Sequence, residues 1–199
     1  MAIKPILFNT EMVKAIVDGR KTQTRRAIRH VRAYGNATGR PFKEAPANKG
    51  DVLWVRETWG LYHQEPFFFV YKADSEPGDE FDCDPEWKWR PNIHMPKEAA
   101  RLFLLVTDIR MERLQQLTDT DAEREGIGNL FLEDVGFGDK DYGCISYSDS
   151  KGYIGFQKEQ FAHLWDSTIK KADLDTYGWE ANPWVWVIEF ERTEQETPF

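Results

Sequence analysis

The alternation of apolar and polar residues predicts both strands and helices along the chain. Short apolar or alternating runs predict strands at residues 5–8, 22–29, 51–59, 67–71, 101–113 and 182–191. Apolar residues at helical spacing predict a first helix that begins at Asn9 or Thr10 and ends at Gly19. Strands interspersed with a few helices are typical of an α+β protein with a mixed or barrel-like sheet.

Two more helices are predicted in the second half of the chain. Residues 118–123 carry capping-box signals and predict a short helix that ends at Gly126. Residues 156–170 predict a longer helix with Phe161, Leu164 and Trp165 on one face. In the predicted strands, alternation favours core packing for Trp54, Trp184 and Trp186.

Length and composition favour one folded domain over residues 1–199. The chain is 41% hydrophobic and 14% aromatic, which is enough apolar material for a core. No run of about 18 apolar residues is present, and the N-terminal residues lack the order of a signal peptide. Cys83 and Cys144 match no redox or metal spacing. We therefore expect a cytoplasmic protein that does not enter a membrane, with a loose tail at about residues 193–199.

The charge is distributed unevenly. The net charge of −8 argues against a protein that coats nucleic acid indiscriminately. Residues 14–32 nevertheless form a basic island with a single acid, Asp18. Such an island suits a local anionic ligand, for example one phosphate or a short stretch of nucleic-acid backbone. The alternative is an arginine-rich strand whose charges pair with acids across the sheet, and the sequence leaves both interpretations open.

The segment at residues 19–26, Gly-Arg-Lys-Thr-Gln-Thr-Arg-Arg, holds the most reactive set of side chains. A threonine hydroxyl is a poor nucleophile unless a neighbouring base takes its proton. A lysine can be that base only when burial or nearby positive charge lowers its pKa. Lys21 and Thr24 would face opposite sides of a straight strand, so they converge only if Lys21 precedes the strand. The alternative is an ordinary exposed strand.

The pattern Gly19-x-Lys21-x-x-Thr24-x-Arg26 resembles the signature of the ASCH family. The usual family signature has Glu where this chain has Thr24, and the members that hydrolyse N4-acetylcytidine share the threonine. The chain is most similar to phage and prophage members. Further matching blocks lie at residues 50–53, 54–59, 90–96, 106–107, 122–125, 182–186 and 187–190. The resemblance implies a PUA-like β-barrel with flanking helices and long insertions at about residues 60–96 and 127–180.

The resemblance also implies roles for individual residues. Lys21 corresponds to the general base, Thr24 to the nucleophile and Glu125 to the catalytic acid of an amidohydrolase that removes an acyl group from an N4-acylated cytosine nucleoside. On sequence alone, Glu125 is equally well explained as a solvated glutamate at a helix end. The alternative function is an RNA- or DNA-binding module, including a ribonuclease, in which basic side chains hold phosphate: Arg20, Arg25, Arg26 and Arg29.

Four other residues are candidates for ligand contacts. Trp59 and Trp89 can stack a nucleobase, and Arg90 and His94 can donate hydrogen bonds to it, although core packing is the alternative for the two tryptophans. The histidines lack zinc spacing, and no phosphate-binding glycine loop is present, so we expect no metal and no cofactor. The expected partner is a modified nucleoside or a nucleic acid, RNA rather than DNA; a host or phage protein is a further alternative.

Overall fold

The structure is a computed structural model that describes residues 1–28, 45–62, 67–76, 78–79, 81, 87–127 and 156–193. In these residues the fold is mixed α+β, as the pattern predicts. The helices and strands in chain order are β1 Ile3–Leu7, α1 Thr10–Val17, β2 Gln23–Ala27, β3 Val52–Arg56, β4 Trp59–Tyr62, β5 Phe68–Tyr71, β6 Phe103–Arg113, α2 Asp119–Arg124, α3 Phe156–Thr168, α4 Leu174–Tyr177 and β7 Trp184–Thr193.

The strands form a five-stranded mixed sheet in the order β1-β3-β6-β7-β2 and a separate two-stranded sheet, β4-β5. The large sheet is mixed because β1 runs parallel to β3, whereas β3 runs antiparallel to β6. Within the described residues, the strand order contains no pairing of β1 with β2 that would close the sheet. The PUA-like barrel therefore remains a prediction.

By backbone proximity the chain divides into two compact units. Unit 1 comprises Met1–Gly19, Ala47–Asp108 and Glu189–Phe199, and unit 2 comprises Arg20–Pro46 and Ile109–Ile188. In unit 1, the buried apolar residues include Val13 and Ile16 of α1, Val55 of β3 and Leu104 of β6. In unit 2, the core joins α2, α3 and β7 through Ala122, Phe161, Trp165, Val185 and Val187.

The predicted helix ends are confirmed. Asn9 caps α1, because its side chain accepts a hydrogen bond from the backbone N–H of Met12 at 2.8 Å. Gly19 follows the helix with a φ of 74°, the left-handed conformation that favours glycine. Thr118 and Asp121 form the reciprocal capping box of α2.

The strand predicted at residues 51–59 proved too long. The chain leaves the large sheet after Arg56 and starts β4 at Trp59. Between them, the buried Glu57 side chain receives two hydrogen bonds from Arg101, which tie the corner in place. β5 and all of β4 except Trp59 lie within the insertion predicted at about residues 60–96, whereas residues 128–155 of the second insertion lie outside the described part of the chain.

Core packing was the wrong expectation for three tryptophans. Trp54, Trp184 and Trp186 are only half-buried, and it is Val185 and Val187 that have no exposed surface. The guanidinium of Arg56 lies over Trp54 at 5.6 Å, and that of Arg113 lies over Trp184 at 4.5 Å. Alternation identifies two faces of a strand, but it does not tell which face meets the core when both are apolar.

No helix in the described residues is both long and apolar enough to span a bilayer.

Candidate active site

The backbone of unit 2 brings the segment before β2 against the end of α2. Lys21 forms an isolated antiparallel bridge with Glu125, and the N–H of Thr22 donates to the carbonyl of Arg124 at 2.8 Å. Gly126 has a φ of 89°, and its backbone N–H donates to the carbonyl oxygen of Glu123. The backbone N–H of Ile127 donates to the carbonyl oxygen of Ala122. This Schellman motif ends α2 after Arg124, and the C-cap residue Glu125 faces Lys21.

Lys21 is buried and bound to Glu125. Its side chain is 2% exposed, and Nζ lies 2.8 Å from both Oε2 and the backbone carbonyl oxygen of Glu125. Burial lowers the pKa of Lys21, the charges of Arg26 and Arg25 lower it further, and Glu125 opposes them. The net direction is downward, which is the shift that a lysine needs before it can act as a base.

The two carboxylate oxygens of Glu125 have different partners. Oε2 accepts from Lys21, whereas Oε1 accepts from NH1 of Arg25 at 3.1 Å. The solvated glutamate that the sequence allowed is therefore ruled out for this position, since the side chain is 5% exposed and bound on both oxygens. Two residues separated by 104 positions in sequence meet here.

Arg25 is the centre of the polar network in unit 2. Its side chain is fully buried; Nε and NH2 donate to Oε1 of Glu112 at 3.1 and 2.6 Å, and NH2 lies 3.4 Å from Asp121. With Glu125, three carboxylates surround this one guanidinium. The expectation that Arg25 holds a nucleic-acid phosphate is therefore corrected: a buried cation already paired with acids cannot reach a phosphate backbone.

Further polar groups complete the network around Asp121. Nε2 of Gln23 donates to the carbonyl oxygen of Asp121 at 2.9 Å, and Arg110 lies 3.4 Å from Glu112 and 3.8 Å from Asp121. Burial raises the pKa of Asp121, but hydrogen bonds from Thr118 and the charge of Arg25 outweigh it and hold that pKa below its usual value. The site thus contains many charged side chains, and its cations are paired with its carboxylates.

Thr24, unlike Lys21 and Glu125, lies outside the hydrogen-bond network that the described residues form at the site. It is buried within β2, on the opposite face of the strand to Gln23 and Arg25. Among the described residues, the hydrogen bonds of the site do not include the Thr24 hydroxyl. Because β2 begins at Gln23, Lys21 precedes the strand, and strand alternation does not determine which way its side chain points. Arg26 shares the face of Thr24, and its positive charge is among the causes that lower the pKa of Lys21.

The remaining basic candidates, Arg20, Arg26 and Arg29, differ in their surroundings. Arg20 donates from NH1 to the carbonyl oxygen of Gly126 at 3.0 Å, which ties it to the end of α2. Arg26 is partly exposed. Arg29 lies outside the described residues.

The aromatic candidates belong to unit 1. Trp59 is 4% exposed and sits in a core cluster with Met95 and Ala99, so its ring offers no free face for a nucleobase. The guanidinium of Arg90 lies 4.9 Å from the centre of that ring. Trp89 is half-buried, with the ring of Trp87 at 5.6 Å. His94 is exposed in a 3₁₀ turn, Asn92–His94.

Sequence reasoning missed Glu112 as a site residue. It lies on β6, and its side chain, only 16% exposed, anchors Arg25. The signal was indirect: a buried basic island requires acids from elsewhere in the chain. Several of the acids lie on strands or helices, and nothing local marks which of them would turn inward.

No protein-family model, curated protein or solved structure matches the chain. Within the described residues, His, Cys, Asp and Glu side chains form no group of three or more arranged to hold a metal ion. The site is therefore interpreted from its own geometry.

Proposed function

We propose that this chain is an ASCH-family amidohydrolase that removes an acyl group from an N4-acylated cytosine nucleoside. The observation that carries the proposal is the buried contact of Lys21 with Glu125, at 2.8 Å across 104 positions of sequence. These are two of the three residues to which the motif resemblance assigns catalytic roles. An exposed strand, the alternative for this segment, would leave both side chains in water.

Lys21 is the proposed general base. A buried amine with a lowered pKa is neutral over more of the pH range than an ordinary lysine, and only the neutral amine can accept a proton. Glu125 then stabilises the ammonium form that results, because its Oε2 already accepts a hydrogen bond from Nζ. Base and counter-charge are thus in place before a substrate arrives.

Thr24 is the proposed nucleophile. Its hydroxyl oxygen attacks the amide carbonyl carbon, and the hydroxyl proton passes to Lys21. The C–N bond breaks, the acyl group remains on Thr24 as an ester, and the cytosine amine leaves with the proton from Lys21. Water then hydrolyses the ester, which restores the hydroxyl and releases the carboxylic acid. Catalytic hydrogen bonds often form only in the substrate complex, so the absence of a hydrogen bond from the Thr24 hydroxyl to another described residue is compatible with the role.

The RNA- or DNA-binding alternative has less support. It depends on the basic segment at residues 20–32, and in that segment the Arg25 side chain is buried against three carboxylates. The partly exposed Arg26 keeps the alternative testable. Nucleic-acid binding through this segment would weaken steeply with salt and would be reduced by Arg26→Ala.

The experiment is to incubate the protein with N4-acetylcytidine and to separate cytidine from substrate over time. We expect turnover that falls by about 10²–10⁴-fold in Lys21→Met and by at least as much in Thr24→Ala. Thr22→Ala is the matched control: it makes the same chemical change two positions away, at an exposed side chain, and should keep full activity.

Either of two results would overturn the proposal. One is no cytidine release by the folded wild-type protein. The other is release that Thr24→Ala reduces no more than Thr22→Ala does. A salt-sensitive gel shift with single-stranded RNA, combined with no hydrolysis, would favour the nucleic-acid-binding alternative instead.

A further inference from the structure

Arg25 is the residue of the network whose role the proposed reaction leaves unexplained. It lies next to the nucleophile in sequence but does not contact it, since alternation directs the two side chains to opposite faces of β2. Its guanidinium instead contacts Glu125 at 3.1 Å, the same carboxylate that binds Lys21.

We propose that Arg25 is a positioning residue that engages Oε1 of Glu125, so that Lys21 shares this carboxylate with a second cation, and that Glu112 holds Arg25 in place for that task. The proposal deepens the proposed function and rests on it, because it assigns the control of the general base. It concerns residues of unit 2 only.

The geometry distinguishes this arrangement from a simple ion pair. If Arg25 were absent, both oxygens of Glu125 would be open to the amine of Lys21. With Arg25 present, part of the carboxylate charge is committed to a guanidinium that cannot lose its proton. Glu112 keeps Arg25 in that position, since one of its oxygens accepts from both Nε and NH2. This fork would have to break before the guanidinium could turn away.

The charged groups around Lys21 come from α2 and β2. Glu125 faces it from the end of α2, and Arg25 and Arg26 act on it from β2. Around Arg25 lie Glu112 and Arg110 of β6 and Asp121 of α2. The ring of Phe161, 6.0 Å from the guanidinium, is the uncharged neighbour from α3. Removal of Arg25 takes away one repelling cation and returns a carboxylate oxygen to Lys21, so the pKa of Lys21 should rise.

The test is an NMR titration of lysine side chains labelled with ¹³C at Cε, in which Lys21→Arg identifies the Lys21 signal. In Arg25→Gln we expect the Lys21 midpoint to move up by about 1 pH unit or more. The matched control is Arg113→Gln, which removes one positive charge from unit 2 at an exposed side chain stacked on Trp184. It should leave the midpoint unchanged.

A second variant keeps the proposal testable if Arg25→Gln does not fold. If Arg25→Gln does not fold, Arg25→Gln with Glu112→Gln removes one charge of each sign and leaves fewer buried carboxylates unpaired. The same upward shift is expected.

The outcomes separate the two proposals. An unchanged Lys21 midpoint in a folded Arg25 variant overturns the positioning role, whether or not the protein hydrolyses N4-acetylcytidine. A shifted midpoint in a protein that releases no cytidine supports the charge coupling and overturns the proposed function. If both proposals hold, the acid limb of the kcat profile of Arg25→Gln moves to higher pH together with the midpoint.

Discussion

Unit 1 and unit 2 each bury a glutamate against an arginine, but they divide its two oxygens differently. In unit 1, both oxygens of Glu57 accept from the single guanidinium of Arg101, each at 2.9 Å. In unit 2, the oxygens of Glu125 are divided between Lys21 and Arg25. A bidentate pair satisfies both of its partners, which suits a structural anchor. A divided carboxylate stabilises an amine only in part, which suits a base that must gain and lose a proton.

The pKa values of the two sites follow the same division. Burial raises the pKa of Glu57 although Arg101 opposes it, and the group stays tied to one permanent cation. Burial lowers the pKa of Lys21, and Glu125 offsets only part of that shift. The titratable partner is thus the acid in unit 1 and the amine in unit 2. The comparison shows that similar buried charges serve different purposes according to how their hydrogen bonds are shared.

The largest change in stability is expected when the unit 1 anchor is broken. Arg101→Met leaves Glu57, 1% exposed, without its cation. Removal of one partner of a buried pair costs about 3–5 kcal/mol, and the partial exposure of Arg101 favours the lower end, about 3 kcal/mol. Urea unfolding followed by tryptophan fluorescence measures the loss. A loss below about 1 kcal/mol, typical of a surface pair, would contradict the anchor role.

A smaller change in stability is expected when Lys21 is removed. In Lys21→Met, Glu125 keeps the hydrogen bond from Arg25, so we expect a loss of about 1–2 kcal/mol in the free energy of unfolding. The same urea titration measures it beside Arg101→Met. A loss for Lys21→Met that equals or exceeds the loss for Arg101→Met would remove the distinction between anchor and divided carboxylate.

The two glycines that follow helices sharpen the comparison further. Gly19 in unit 1 and Gly126 in unit 2 have φ values of 74° and 89°, where an L-residue costs about 1–2 kcal/mol. Gly19→Ala and Gly126→Ala should therefore destabilise by similar amounts in thermal melts. Only Gly126→Ala should also shift the NMR titration of Lys21, because Gly126 directly follows Glu125. Equal shifts in both variants would argue against local control of the site by the end of α2.

A final prediction concerns the decline of stability in acid. A hydrogen bond with Lys4 is the main cause that lowers the pKa of Asp51 in unit 1 to about 2. Because this pKa is depressed on folding, the stabilisation is complete above the unfolded value near 3.8 and is lost as the pH falls through about 2. Asp51→Asn should flatten the decline of stability between those values in denaturant titrations at several pH values. An unchanged slope would show that Asp51 does not contribute to acid unfolding.

The elements were predictable where local chemistry decides them. The caps at Asn9 and Thr118 satisfy backbone N–H groups within a few residues, so short patterns suffice to identify them. The break after Arg56 was not predictable from alternation: the residue that follows it, Glu57, is buried and bound by Arg101, 44 positions away in sequence. The prediction that three tryptophans pack in the core was wrong because it also depends on tertiary structure. Both faces of their strands are apolar, and only packing decides which face is covered.

The sequence by itself determined the mixture of strands and helices, the ends of α1 and α2 and the motif at residues 19–26. The tertiary structure alone decided that Lys21 is buried, that Glu125 is divided between two cations and that Glu112 holds Arg25. The physical reason is range: turns and caps are set by hydrogen bonds between near neighbours, whereas the charge state of a buried amine depends on every group that the fold brings within a few ångströms of it.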